Sequence, residues 1–335
     1  MKCDIVAVKE VSGFVDDLKE AVGKKIDLSA EFDNVCICGM GASAIGGDII
    51  KDMAADRSSV PISVVRSFDL PHWANKRTMV IVSSYSGNTR ETLSMYDHAV
   101  ERGCGTVAIA AGGKLAEKCR KDGSTLIEVR GGVQPRNALG SILGYMANIV
   151  ETAGAGSYAT EIKRLLPKMR KLAKDIGFDS PDSYAKKIAE KIYGTTPVVF
   201  STSGIPASAM RWKQQINENS KMMSFYGSIL EFNHNEIIGW SEGEKFNCVP
   251  IVLYEEEASR LTRATAGASI EMLRASGTDP TVVSISGRSV TERSLRAVMI
   301  GDHVSVYLAA MNRVDPIDVG PIRSLKEKVS ERLDR

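Results

Sequence analysis

Apolar positions along this chain fall into two recurring patterns. Short, nearly continuous apolar runs read as buried strands, and longer stretches with apolar residues three and four apart read as amphipathic helices. Val35-Cys36-Ile37-Cys38, Ile62-Ser63-Val64-Val65, Met79-Val80-Ile81-Val82, Thr106 to Ala111 and Ser124 to Val129 are the runs of the first half. Residues 1 to 34 precede them as a polar, helix-prone stretch with Val11, Phe14, Val15, Leu18 and Val22 at helical spacing, expected to pack on the outside. Helices are predicted through about Ala55, from Leu93 to Arg102, from Leu115 to Arg120, and from Asn137 to about Ala153. Strands alternating with helices mean a parallel sheet with helices on both faces.

Gly154-Ala155-Gly156-Ser157 reads as a boundary. Two amphipathic connecting helices follow, Tyr158 to Lys174 and Ser183 to Tyr193. The alternation then resumes: strand Pro197 to Phe200, helix Pro206 to Lys221, strand Cys248 to Leu253, helix Ala258 to Ala275, strand Thr281 to Ile285. Helices from Thr291 to Met311 and from Val319 to Leu333 close the chain. The expected fold is therefore α/β, with two doubly wound parallel-sheet units at residues 1–154 and 155–335. The second repeats the architecture of the first without repeating its sequence. The cleft between units is the default place for a small ligand.

Two turns carry the chemistry of the first unit. Ser83-Ser84-Tyr85-Ser86-Gly87-Asn88-Thr89 joins a strand to a helix. Free backbone N–H groups and the positive end of a helix dipole collect at such a place. Its hydroxyls add donors, and with no cation before Arg90 the cradle is mostly neutral, which suits a monophosphate. A polar loop with a Ser or Thr helix cap is the plain alternative. The other turn, Gly39-Met40-Gly41-Ala42-Ser43-Ala44, also satisfies the dinucleotide fingerprint. The next strand, however, ends at Arg66 and not at an acid. An NADP-linked dehydrogenase therefore stays open on this feature. Both turns lie at the carboxyl ends of strands, where parallel sheets bind ligands.

Composition narrows the class. The 335 residues are 43% hydrophobic and 25% charged, ordinary values for a globular protein of two domains. Net charge is +2 with no basic block, so nucleic acid is not an expected partner. Met1-Lys2-Cys3-Asp4 includes an acid, which argues against a signal peptide, and no apolar run approaches membrane-spanning length. The expected location is the cytoplasm. Six scattered cysteines read as reduced core thiols and not as a metal site.

Further candidates lie outside the turns. Glu218 sits among amides near a helix end, where a carboxylate can act as a general base if the site is closed; a surface glutamate is the alternative. His234 lies between Asn233 and Asn235, which can hold one tautomer of its ring. His72, His98 and His303 read as structural or surface residues. Arg136 follows Pro135 at the mouth of an apolar helix and could clamp an oxyanion. Lys326 reads locally as a solvated lysine.

Taken together these pieces resemble the archaeal-type bifunctional phosphoglucose/phosphomannose isomerases, built from two sugar isomerase (SIS) domains. The resemblance runs over nearly the whole chain. It rests on Gly39 to Asp48, Ser84 to Thr92, Pro135-Arg136, Glu218-Asn219-Ser220-Lys221, Glu231-Phe232-Asn233-His234-Asn235-Glu236, and Asp315-Pro316 before Leu325-Lys326. It implies that Ser84, Ser86 and Thr89 hold a sugar 6-phosphate and that Ala42, Ser43 and the adjoining backbone contact the substrate. It implies that Glu218 moves a proton between C2 and C1 through a cis-enediol and that Arg136 stabilises the enediolate. His234 and Lys326 would assist ring opening, His234 from the neighbouring subunit of a homodimer. No metal, cofactor or membrane is implied, and the activity belongs to glycolysis or gluconeogenesis. Two departures stand out. Ala42 replaces the family's usual glycine, and Ser324 is the only hydroxyl residue between Asp315 and Lys326, which weakens the case for mannose 6-phosphate. A non-catalytic sugar-phosphate-binding regulator of the same fold is the alternative function.

Overall fold

The strand runs become two parallel sheets in the computed structural model, which describes residues 3–26, 28, 31–243 and 247–333. The expectation drawn from Met1 and Lys2 lies outside these residues. The first half runs α1 (Ile5–Ser12), α2 (Phe14–Gly23), β1 (Asn34–Gly39), α3 (Gly41–Ala54), β2 (Ile62–Val65), β3 (Thr78–Ser83), α4 (Arg90–Glu101), β4 (Gly105–Ala110), α5 (Gly113–Asp122), β5 (Thr125–Glu128), a short 3-10 helix (Pro135–Ala138) and α6 (Leu139–Thr152). The second half runs α7 (Tyr158–Ile176), α8 (Tyr184–Ile192), β6 (Thr196–Ser201), α9 (Pro206–Ser220), β7 (Phe225–Ser228), α10 (Ile229–Phe232), α11 (Glu236–Glu242), β8 (Cys248–Glu255), α12 (Arg260–Ala275), β9 (Thr281–Ile285), α13 (Val290–Asn312) and α14 (Gly320–Leu333). The sheet orders are β2-β1-β3-β4-β5 and β7-β6-β8-β9, with every pair parallel.

Continuous apolar runs are what a strand covered on both faces requires. In β1, Val35 and Ile37 enter one core and Cys36 and Cys38 the other; β3 divides Met79 and Ile81 from Val80 and Val82 in the same way. The cysteines are free thiols. His303 is also a core residue, with Nδ1 bonded to the Met299 carbonyl at 2.8 Å and its ring stacked on Phe178. Three local predictions needed revision. The N-terminal stretch forms two helices, and α2 is packed against α6 and α7 instead of lying outside. Arg136 stands in a 3-10 helix. The segment after Lys221 adds β7, α10 and α11 to the second unit.

The units share one apolar core, in which α2, α3, α6, α7, α9 and α13 fill the space between the sheets. Contact between α9 and α13 is close because Gly301 lacks a side chain: a Cβ there would meet the Trp212 indole at 2.3 Å. The indole N–H donates to the Ala297 carbonyl at 2.7 Å. Across the two halves, Asp52 of α3 accepts from the backbone N–H of Ala207 at 2.8 Å, in the first turn of α9, which has no side-chain cap of its own.

Burial raises the Asp52 carboxyl to about 7; the Ala207 N–H pulls it down, and Asp48 and Glu255 push it further up. A raised acid binds its proton more tightly when folded, so stability falls as pH rises from about 4 to about 7. Asp52→Asn should flatten that slope. Thermal melts of both proteins at about pH 5.5 and about pH 8 check this, and an equal slope in the variant refutes it.

Candidate active site

Strand order in the first sheet reverses between β1 and β3, the place where open parallel sheets bind ligands. Gly39 and Ser83 are register partners at the ends of these strands, so the two turns leave the sheet side by side. A cavity of about 330 Å³ opens there. The start of α3 contributes Gly41, Ala42 and Ser43, and the turn after β3 contributes Tyr85, Ser86 and Thr89. Gln134, Pro135 and Arg136 form another wall, Glu218 enters from α9, and Val319, Ile322 and Lys326 come from the last helix and its approach.

The turn after β3 is shaped by backbone contacts. Gly87 has φ +66°, and a Cβ there would lie 1.8 Å from the Gly112 carbonyl oxygen. Ala111 N–H donates to Tyr85 O and Leu115 N–H to Gly87 O, both at 2.9 Å, binding the turn to the loop after β4. The Ser43 hydroxyl accepts from Tyr85 N–H at 3.2 Å and so joins the two turns. Neither α3 nor α4 has a side-chain N-cap. In α3 the Ser43 N–H is taken by the Met40 carbonyl at 3.0 Å; no side chain caps the remaining first-turn N–H groups of the two helices, and an anion is the natural ligand for such groups. Ser84 is buried behind the wall and donates to the Thr89 hydroxyl at 3.1 Å, so in this cavity it reaches a ligand through Thr89.

The corresponding turn of the second sheet is closed. Thr202 and the Gly204 N–H both donate to Glu255, the latter at 2.9 Å, and Arg293 Nε holds the other carboxylate oxygen at 2.7 Å. An internal carboxylate occupies that cradle.

Opposite the open cradle stands Arg136, only 2% exposed. Its Nε donates to Asn219 Oδ1 at 2.7 Å and its Nη2 to the Pro316 carbonyl. Its Nη1 meets Gln134 Oε1 at 3.3 Å and Glu218 Oε2 at 3.5 Å. Burial lowers the arginine pKa and Glu218 opposes that; arginine stays protonated under any ordinary condition. Lys221, left-handed at φ 55°, donates to the carbonyls of Glu218 and Asp318, each at 2.6 Å. It thereby ties the end of α9 to the segment leading into α14. Burial and Arg136 lower its pKa.

The fold thus gathers Ala42, Ser43, Ser86, Thr89, Arg136, Glu218 and Lys326 around one cavity. It does not bring His234 there: that residue is exposed between α10 and α11. Tyr85, Glu91 and Gln134 also line the cavity, without having been singled out in the sequence. Tyr85 stood inside the serine-rich turn and Gln134 beside Pro135, so their neighbours were the available signal. Arg66, the residue suited to an NADP phosphate, is engaged by Asp48. Among the described residues no group of three or more His, Cys, Asp or Glu is placed to hold a metal ion.

Residues 181–329 match the model of the bacterial phospho-glucose isomerase C-terminal SIS domain. A bifunctional phosphoglucose/phosphomannose isomerase of Aquifex aeolicus is 33% identical over 96% of this chain and 98% of its own. One from Caldicellulosiruptor bescii is 33% identical over 93% and 95%. A hypothetical protein of Thermus thermophilus has the same fold, with a TM-score of 0.75 at 16% identity over 98% of this chain and 91% of its own.

Gly87→Ala should cost about 2–3 kcal/mol, because a side chain meets both positive φ and a carbonyl oxygen. Chemical denaturation checks this; a loss below about 0.5 kcal/mol contradicts the packing described.

Proposed function

The chain belongs to the bifunctional phosphoglucose/phosphomannose isomerases, and on that footing we propose that it interconverts fructose 6-phosphate with glucose 6-phosphate and with mannose 6-phosphate through a cis-enediol. It is an isomerase acting on hexose phosphates. The observation that carries the mechanism is the Arg136–Glu218 pair facing two uncapped helix N-termini across one cavity.

The 6-phosphate binds the N–H groups at the starts of α3 and α4 with the hydroxyls of Ser86 and Thr89; Ser84 holds Thr89, and Ala42 and Ser43 complete the wall. After ring opening, in which Lys326 and His234 move protons between the ring oxygen and the anomeric hydroxyl, C2 of the aldose lies beside Glu218. The carboxylate removes the C2 proton, and the carbonyl at C1 becomes an enediolate oxygen. Arg136 stabilises that charge, and being held before substrate arrives it needs no reorganisation. The proton of the C2 hydroxyl passes to O1, and Glu218 returns its proton to C1. One carboxylate takes the proton at C2 and returns it at C1 on the same face of the cis-enediol, so atoms and charge balance without a second base.

Sugar binding in the unit of residues 1–154 and a base from the unit of residues 155–335 assign each half a distinct part. We place His234 in the neighbouring subunit's site. Phe225, Tyr226, Leu230 and Ile238 are exposed apolar residues flanking it in the chain, the composition of a face that a second copy would cover. The α14 wall presents Ile322 and Lys326 but no hydroxyl, so glucose 6-phosphate is the better aldose. The protein works in the cytoplasm, in glycolysis or gluconeogenesis; among the described residues no helix is long and apolar enough to cross a membrane.

A coupled assay from fructose 6-phosphate to glucose 6-phosphate, run with chelator, tests the reading. Wild-type turnover is expected, with Glu218→Gln slower by roughly a thousandfold. A silent wild type that still binds the sugar phosphate identifies a regulator instead. Ser86→Ala with Thr89→Ala should raise KM roughly tenfold or more; an unchanged KM moves the phosphate elsewhere. Mixing Glu218→Gln with His234→Ala subunits should restore about a quarter of wild-type activity if the histidine crosses the interface, since one site of each hybrid dimer is intact. No restoration places it in its own subunit.

A further inference from the structure

We propose that Ser305 of α13, outside the cavity, is a positioning residue for proton transfer: it holds the Asn219 carboxamide so that Arg136 presents Nη1 to Glu218. This rests on the isomerase reading. The argument is one of donors and acceptors. Ser305 donates its hydroxyl proton to the Asp302 carbonyl at 2.7 Å. Its oxygen is then left to accept, and Asn219 Nδ2 donates to it at 2.8 Å. With the amide nitrogen committed on that side, the amide oxygen must face Arg136, whose Nε it accepts at 2.7 Å. Asn219 is 1% exposed and Ser305 fully buried, so water does not substitute for either contact.

A second brace holds the arginine backbone. Arg211 donates to the Arg136 carbonyl at 2.7 Å and is held by both oxygens of Asp302, at 2.9 Å each. Asp302 therefore anchors the backbone of Arg136 through its carboxylate and the guanidinium through its carbonyl and Ser305. The guanidinium is fixed at its Nε edge and at Nη2, which leaves Nη1 as the edge turned to Glu218. A misplacement of about 1 Å in such a group can cost up to roughly a hundredfold in rate.

Ser305→Ala removes the acceptor and leaves a buried amide N–H unpaired, so the carboxamide swings away from its present contact. Ser220→Ala is the control. Ser220 donates to the Ser305 backbone carbonyl at 2.7 Å, an equally buried bond between the same two helices that leaves the Ser305 hydroxyl and its contact with Asn219 in place. Rates are read with glucose 6-phosphate and with its C2-deuterated form, alongside melting temperature. Wild type must turn over; if it does not, the isomerase reading fails and this inference with it. Given turnover, Ser305→Ala should lower kcat roughly tenfold, change KM less than about twofold, and keep a C2 isotope effect at least as large as wild type. Ser305→Cys, somewhat larger and a weaker acceptor, should move the same way, and Ser220→Ala should keep wild-type kcat. An unchanged kcat in Ser305→Ala, an equal fall in Ser220→Ala, or a smaller isotope effect overturns the proposal.

Discussion

A guanidinium taken out of water must find its hydrogen bonds in the protein, and the site is organised around that requirement at Arg136. Its donors are met by a side chain from α9, a backbone carbonyl from the segment before α14, and the glutamine two residues earlier. Each acceptor belongs to a different part of the chain, so satisfying one buried charge brings these parts together. Glu218 is carried in on the same helix as Asn219, which sets it beside the arginine as a consequence.

Across the cavity the charge problem is solved the other way. Two helix starts without side-chain caps and a few hydroxyls line the wall, with no cation among them. A cradle without cations, with Glu91 at its edge, leaves the cavity's positive charge to Arg136 and Lys326, on the reacting side. In the second sheet the turn after β6 is filled from within: Glu255 supplies the anion, and Arg293 offsets its desolvation. One fold thus holds an open cradle, which lines a cavity, and one filled by its own carboxylate.

Most strands and helices could be read along the chain because their signals are local. Runs such as Met79 to Val82 are apolar on both faces and bounded by turn residues. β7 was not legible: it has four residues, includes Gly227, and exists through its register with β6, Val198 opposite Phe225. The cradle was legible for the same local reason as the strands, since strand, glycine turn and helix are adjacent in the chain. That Ser84 stands behind Thr89 was not, because its orientation depends on how the turn packs against Gly112.

Periodicity and turn residues determined by themselves two α/β units and a pair of glycine- and hydroxyl-rich turns at the ends of β1 and β3, because those forces act within a few residues. The pairing of Arg136 with Glu218, the link to Ser305 and the closing of the second cradle were decided only by tertiary structure. Arg136 meets Asn219 across 83 residues and Pro316 across 180, and Gly204 meets Glu255 across 51. Which donor finds which acceptor at such separations is settled by burial, after the helices have packed.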